Sequence, residues 1–406
     1  MQTHGSRANN LLGFGPVMSS SALSNRNFLI YLSGSTVSLH GLWIYRVALG
    51  WYTWQLTGSE FWVGIVAFTQ FAPAVVFGPL FGVLADRFDR RKASILINTG
   101  SVLNMLLLSS LTFLGKVDIT VLAATSLIQG VLDGAHTPVR MTLVPSLVSR
   151  EQLQSAIASN SIAFNVSRFV GPAISGFIIA SWGVGTAFAV NSVSYLAIVG
   201  AVIIVRTNPR VRREKQPGNI WSELMDGVRY VVSHASIRAL LVTVAVASVL
   251  GRGALEMLPA FADAVFNGGA SALAILTSAV GAGSIATGLV LSRNTSWLSA
   301  TVIRIAVIVA GLLIVVFGAN DQFWLAIPTI VLLGVSLSLV GVGSQILIQT
   351  LVDDDIRGRV SSLWGMIAFG GTAFGSLIVG SASALFGLQP MVAIAGLLCA
   401  GIAAII

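Results

Sequence analysis

Gly82-Val83-Leu84-Ala85-Asp86-Arg87-Phe88-Asp89-Arg90-Arg91-Lys92 sets four cations and two carboxylates at the junction of two long runs, 61 to 85 and 93 to 115, that carry no charge. A helix that crosses a bilayer needs about 20 predominantly apolar residues, and each run is long enough. The same pattern recurs at 169 to 205, 264 to 292, 322 to 352 and 360 to 406. The longest of these hold two spans each, with breaks at Ser181-Trp182-Gly183 and Phe386-Gly387-Leu388-Gln389-Pro390. Hydrophobic residues make up 55% of the chain and charged residues 9%, against about 25% charged in soluble domains. The reading is an all-α polytopic membrane protein of twelve spans, close to 28 to 54, 61 to 85, 93 to 114, 118 to 140, 151 to 180, 184 to 206, 237 to 262, 270 to 292, 297 to 318, 323 to 351, 359 to 385 and 388 to 406.

Charge supplies the orientation, because short loops rich in Lys and Arg stay cytoplasmic. With both termini inside, eighteen of the 23 cations fall on the cytoplasmic side. Arg46, Arg168, Arg252 and Arg304 lie within spans, and Lys116 alone is outside. The net charge of +8 is therefore topological and does not indicate nucleic acid. A lone cysteine, Cys399, excludes an intrachain disulfide or a thiolate metal centre. No phosphate-binding loop, metal-ligand cluster or nucleophile-base arrangement is present, so neither an enzyme nor direct ATP coupling is expected, and no cofactor.

The stretch from Arg206 to Arg238 is the one long polar connection, with six spans on each side. The expected organisation is a disordered cytoplasmic tail at 1–25, a first six-helix half at 26–206, a linker at 207–236 and a second half at 237–406. An offset of 204 residues places Leu147-Val148 on Leu351-Val352, Gly171 on Gly375 and Gly176 on Gly380. Two pseudo-symmetric halves are a known transporter plan, with the site at the midplane between them. In the linker, Ile220, Leu224 and Val228 with Trp221 and Met225 form an apolar helical face. Glu223, Asp226 and Arg229 lie opposite, which predicts a helix in the inner membrane interface.

The segment from Gly82 to Lys92 resembles the loop between the second and third helices of the major facilitator superfamily. Gly82, Asp86, Arg87, Arg90 and Arg91 occupy the matching places, while Asp89 stands where that family often has glycine. The resemblance implies a cytoplasmic gate in which Asp86 locks to the start of the eleventh helix, with Arg87, Arg90, Arg91, Arg357 and Arg359 nearby. Arg168 to Gly176, with Gly171, Pro172 and Gly176, resembles the Gly-Pro motif of exporter branches. Proline kinks a helix and small residues allow close packing. Ser126 replaces the arginine that drug/proton antiporters carry before Gln129-Gly130. Together with Arg26-Asn27-Phe28, Leu56-Thr57-Gly58-Ser59, Pro145-Ser146-Leu147-Val148, Gly227-Val228-Arg229-Tyr230 and Arg357-Gly358-Arg359-Val360, this is similar to the branch containing enterobactin exporters and macrolide-efflux-like proteins.

Ionisable groups inside spans are functional candidates by default. Arg46 in the first span and Arg252 with Glu256 in the seventh lie on equivalent helices that line the cavity in this fold. Arg252 and Glu256 are spaced to pair on one helical face, with Arg46 able to compete for the same carboxylate. Asp133 has no cation one turn away except His136, and a carboxylate taken out of water without a partner suits proton exchange. Asp133 is the first candidate for proton coupling, with Glu256 and His40 as further ones. Gln345 and Gln349, with Arg46, Arg168 and Arg252, complete the expected substrate cavity. The function implied is proton-coupled secondary export of a small amphipathic compound of drug or siderophore type, by a monomer in lipid, in a bacterial inner membrane. A nutrient importer or facilitator, or a membrane receptor without transport, is the alternative on the same scaffold.

Overall fold

The computed structural model describes residues 21–87, 89–149, 151–206 and 220–406, and within these all side chains except those at 79–80, 82–87, 220–223 and 354. All regular structure among the described residues is helical. The first half comprises α1 (Arg26–Thr57), α2 (Glu60–Arg87), α3 (Arg90–Phe113), α4 (Ile119–Leu147), α5 (Leu153–Trp182) and α6 (Val184–Ile204). A connector helix, α7 (Ile220–Ser233), follows. The second half comprises α8 (Ala235–Val265), α9 (Gly269–Arg293), α10 (Ala300–Gly318), α11 (Phe323–Leu351), α12 (Asp354–Phe386) and α13 (Leu388–Ile405).

Ten of the twelve long rods are apolar enough along their described length to cross a membrane. The two others, α1 and α4, are as long and carry polar groups along the rod, His40 and Arg46 in the first and Asp133, His136 and Arg140 in the second. Local chemistry sets the ends. Asn25 caps α1 by accepting from the N–H groups of Asn27 and Phe28, and Gly58 (φ 54°) closes the helix in the left-handed region. Asp89, the departure from the family loop, is the N-cap of α3, and its Oδ1 accepts the Lys92 N–H at 2.8 Å. Asp118 caps α4 in the same way, through the N–H of Val121 at 2.8 Å. That bond, with one from Thr120, holds the Asp118 carboxyl below the usual carboxylate range.

Residues 21–25, expected in the tail, form a 3₁₀ turn at Ala22–Ser24 whose Ala22 N–H donates to Ser155 Oγ on α5. The remainder of the tail and positions 207–219 of the linker lie outside the described residues. The connector helix meets α12 through Gly227. Gly227 lies against Arg359 and Leu363 of α12, Leu224 lines the central cavity, and Met225, Val228 and Val232 are exposed. The absent side chain at Gly227 allows this approach, which rolls Asp226 under Arg359 at 3.1 Å.

Packing reveals what the 204-residue repeat encodes. A Cβ at Gly171 would strike Trp43 on α1, and one at the matched Gly375 would strike Val249 on α8. A Cβ at Gly176 would strike Ala274 on α9, and one at the matched Gly380 would strike Glu60 and Gly64 on α2. The first glycine of each pair therefore packs α5 or α12 onto its own half. The second packs it onto the other half, so the interface between halves is built on two equivalent crossings, α2 with α12 and α5 with α9.

Candidate functional site

The halves enclose a cavity of about 2150 Å³ lined mainly by α1, α2, α4, α5, α8, α9, α11 and α12, with Asn98 and Ser101 of α3 and Tyr195 of α6 also on its wall and Leu224 of the connector at its edge. That exceeds the roughly 300–1,000 Å³ of a drug-sized site, leaving room for a ligand with its water. The cavity opens at the connector end, where the exposed Met141, Asp355 and Gly358 line its rim. At the far end the halves meet. Trp54 Nε1 donates to Asp263 Oδ2 across the interface at 2.9 Å, Ser376 Oγ donates to Gly64 O at 3.3 Å, and Gly50 faces Pro259.

Arg46, Arg168, Arg252 and Glu256 all line this cavity. The guanidinium of Arg46 lies 5.0 Å from the Trp43 ring and 5.2 Å from the Phe71 ring, and that of Arg168 lies 5.5 Å from Trp43. One indole thus carries two cations from neighbouring helices, a cation–π arrangement strengthened by removal from water. Glu256 is within electrostatic reach of Arg46, Arg252 and Arg168. The direct Arg252–Glu256 pair expected from their spacing is not formed, for the ion pairs within 4.0 Å among the described residues involve Asp226 with Arg229 and Arg359. A π-helical turn, Ala247–Arg252, leads into the pair, but the backbone between the two residues is helical, with the Glu256 N–H donating to Arg252 O at 3.3 Å, so it is the side chains that part company. Arg252 instead reaches across to Gly341, in a second π-helical turn at Leu339–Gly343 of α11.

Asp133 lines the cavity from α4 and accepts a hydrogen bond from Gln129 Nε2 at 3.0 Å. Gln129 also donates to Tyr195 Oη at 3.0 Å, and its Oε1 accepts from Asn104 at 3.3 Å. The carboxylate is therefore steered by amide and hydroxyl groups, with Arg46 the cation within electrostatic reach. His40 sits elsewhere, in the seam between α1 and α5. Its Nδ1 is 2.8 Å from Thr36 O and 2.9 Å from Ser167 Oγ, and it is not part of the cavity wall. Gln345 lines the cavity, while Gln349, one turn nearer the connector end, has left the wall and is exposed.

The expected gate is only partly within the described side chains, since those of Gly82, Asp86 and Arg87 fall outside them. Arg91 bonds the Val202 and Ile203 carbonyls at the end of α6 through Nε, at 2.8 Å, and Nη2. Arg357 donates to Val352 O at 3.0 and 3.2 Å, holding the end of α11. Both satisfy helix C-terminal carbonyls. Arg359 pairs with Asp226, and Arg90 lies in the first turn of α3. Sequence reading passed over Gln70 and Tyr195, both on the cavity wall. The signal for Gln70 was an isolated amide within an otherwise apolar span.

Two packed bundles around a midplane cavity with buried charges define a membrane transporter. The chain belongs to the major facilitator family described as transmembrane secretion effector, whose profile matches residues 18–406. It is 24% identical to the staphyloferrin A transporter of Staphylococcus aureus over 90% of this chain and 92% of that protein. It is 24% identical to macrolide efflux protein A of Streptococcus pyogenes, over 84% of this chain and 85% of the other, and 23% identical to the enterobactin exporter EntS of Salmonella typhi, over 86% and 84%. Its fold matches an inward-facing, occupied bacterial homologue of the human lysosomal transporter Spinster with a TM-score of 0.74 at 14% identity, covering 95% of this chain and 96% of that one. The nucleoside transporter NupG gives a TM-score of 0.71 at 14% identity over 94% of this chain and 98% of that one.

Proposed function

We propose that this chain is a proton-coupled exporter of a small organic compound of drug or siderophore type, working by alternating access as a monomer in a bacterial inner membrane with both termini cytoplasmic. The observation that carries the reading is the cavity between two pseudo-symmetric halves, closed at one end and open at the connector end, with Asp133, Glu256 and three arginines in its wall. If the connector is cytoplasmic, as the distribution of Arg and Lys argues, the structure is the loading state of an exporter. The efflux relatives support the same direction.

In this account Asp133 is the proton carrier. Gln129, itself bonded to Tyr195, holds it at the cavity wall, and Arg46 on the facing helix favours its ionised form once substrate leaves. Asp86, with Arg90, Arg91, Arg357 and Arg359, locks the connector end after loading. The test uses inverted vesicles, where acid inside should drive accumulation of a fluorescent dye or a labelled siderophore and a protonophore should abolish it. Gradient-independent equilibration would point instead to a facilitator and sink the reading.

A further inference from the structure

Cations outnumber carboxylates on the wall of the cavity. Arg46, Arg168 and Arg252 converge on it with two carboxylates, Glu256 and Asp133, leaving one positive charge in excess among these five groups even with both acids ionised. Among the described residues none of the five is in an ion pair within 4.0 Å. Three buried wall atoms among the described residues have no hydrogen-bond partner, Trp43 Nε1, Arg46 Nε and Gln70 Nε2, and every one of them is an N–H donor. Buried polar groups are normally satisfied, and a buried charge is normally paired. These three N–H atoms lie beneath the cavity surface, so it is the guanidinium charge on the wall, outside any ion pair, that negatively charged oxygen acceptors would complete.

We propose that the cavity binds an acceptor-rich organic anion bearing two or more carboxylates, an inference that rests on the transport reading above for its physiological meaning but not for its chemistry. A guanidinium presents a planar fork that matches a carboxylate with two parallel hydrogen bonds. Arg46 and Arg168 come from the first half and Arg252 from the second. A ligand with carboxylates at separate positions therefore engages both halves at once, whereas a monoanion engages one. A cationic amphipath meets the opposite situation, since it would add like charge to a site already in positive excess.

The probe is radiolabelled citrate, bound to the full-length protein in lipid nanodiscs and read by scintillation proximity. Saturable binding is expected, at least about tenfold tighter than that of citrate trimethyl ester, which keeps the shape and loses the charge. Arg168→Gln and Arg252→Gln should each weaken citrate about 10- to 100-fold, the loss of a charge-assisted bond, with partial recovery in the lysine variants. The proposal is overturned if citrate does not bind saturably, if the ester or tetraphenylphosphonium binds as tightly, or if both glutamine variants bind citrate like the parent. The ester comparison needs no variant, so a misfolded mutant does not blunt the test. Counterflow in proteoliposomes separates the two readings. Citrate binding without movement of any compound removes the transport reading and leaves the site, while transport of a cationic dye without citrate binding does the reverse.

Discussion

Gly176→Ala should open the far end of the transporter without unfolding it. The added Cβ would strike Ala274 Cβ on α9, at the crossing between halves. Packed carbons prefer about 3.5–4.0 Å, so α5 and α9 must move apart by roughly 1–2 Å there. Overpacking in a well-packed contact costs about 1–3 kcal/mol, and this cost falls only on the state in which the far end is closed. The gain in helix propensity from Gly to Ala, about 1 kcal/mol, is common to both states and cancels. The ratio of open to closed at the far end should therefore rise about 5- to 150-fold. Thr53 is buried on the cavity wall near the closed end, and Cys399, the sole native cysteine, is also buried. Thr53→Cys thus reports opening through its rate of labelling by an impermeant thiol reagent added on the side opposite the connector. Gly171→Ala is the control, for its clash with Trp43 lies within one half and should lower thermal stability instead. Unchanged labelling in folded Gly176→Ala, or equal acceleration by Gly171→Ala, would refute this division of labour between the two glycines.

Three further outcomes follow from the geometry. Asp89→Ala should cost about 1 kcal/mol by removing the cap of α3, while Asp89→Gly should cost only a few tenths, measured as shifts in thermal unfolding midpoint. Asp226→Asn breaks a contact whose partners are 42% and 35% exposed. Such pairs contribute about 0–1 kcal/mol, so global stability should hold while hydrogen exchange in α7 speeds up by at most about fivefold. Asp118 has its carboxyl lowered in the folded state, so its cap is intact above the ordinary carboxylate range and is lost as pH falls through the lowered value. Protection of the Val121 N–H, the slowing of its exchange relative to that of a free amide at the same pH, should fall on acidification, and Asp118→Asn should flatten that dependence.

The fold was legible because bilayer crossing imposes length, apolarity and charge placement that a single chain must declare. The repeat was legible through Gly171, Gly176, Gly375 and Gly380, and the structure adds the separate tasks of each pair. Asp133, Arg46, Arg168, Arg252, Glu256 and Gln345 all line one cavity. The Arg252–Glu256 contact failed although the backbone between them is helical, because spacing fixes the face a side chain leaves from and not the partner it turns to, and Arg252 reaches Gly341 of α11 instead. Gln349 was misplaced because spacing fixes the face of a helix but not the depth at which the cavity ends. Asp89 was read against a family loop when its own local chemistry, a side-chain acceptor three residues before a free N–H, already marked a helix start.

The central claim is that proton entry at Asp133 drives substrate through this cavity. In proteoliposomes, Asp133→Asn should retain exchange of substrate down its own gradient while losing accumulation driven by a proton gradient. Proton-driven accumulation by the variant at the rate of the parent would contradict the account.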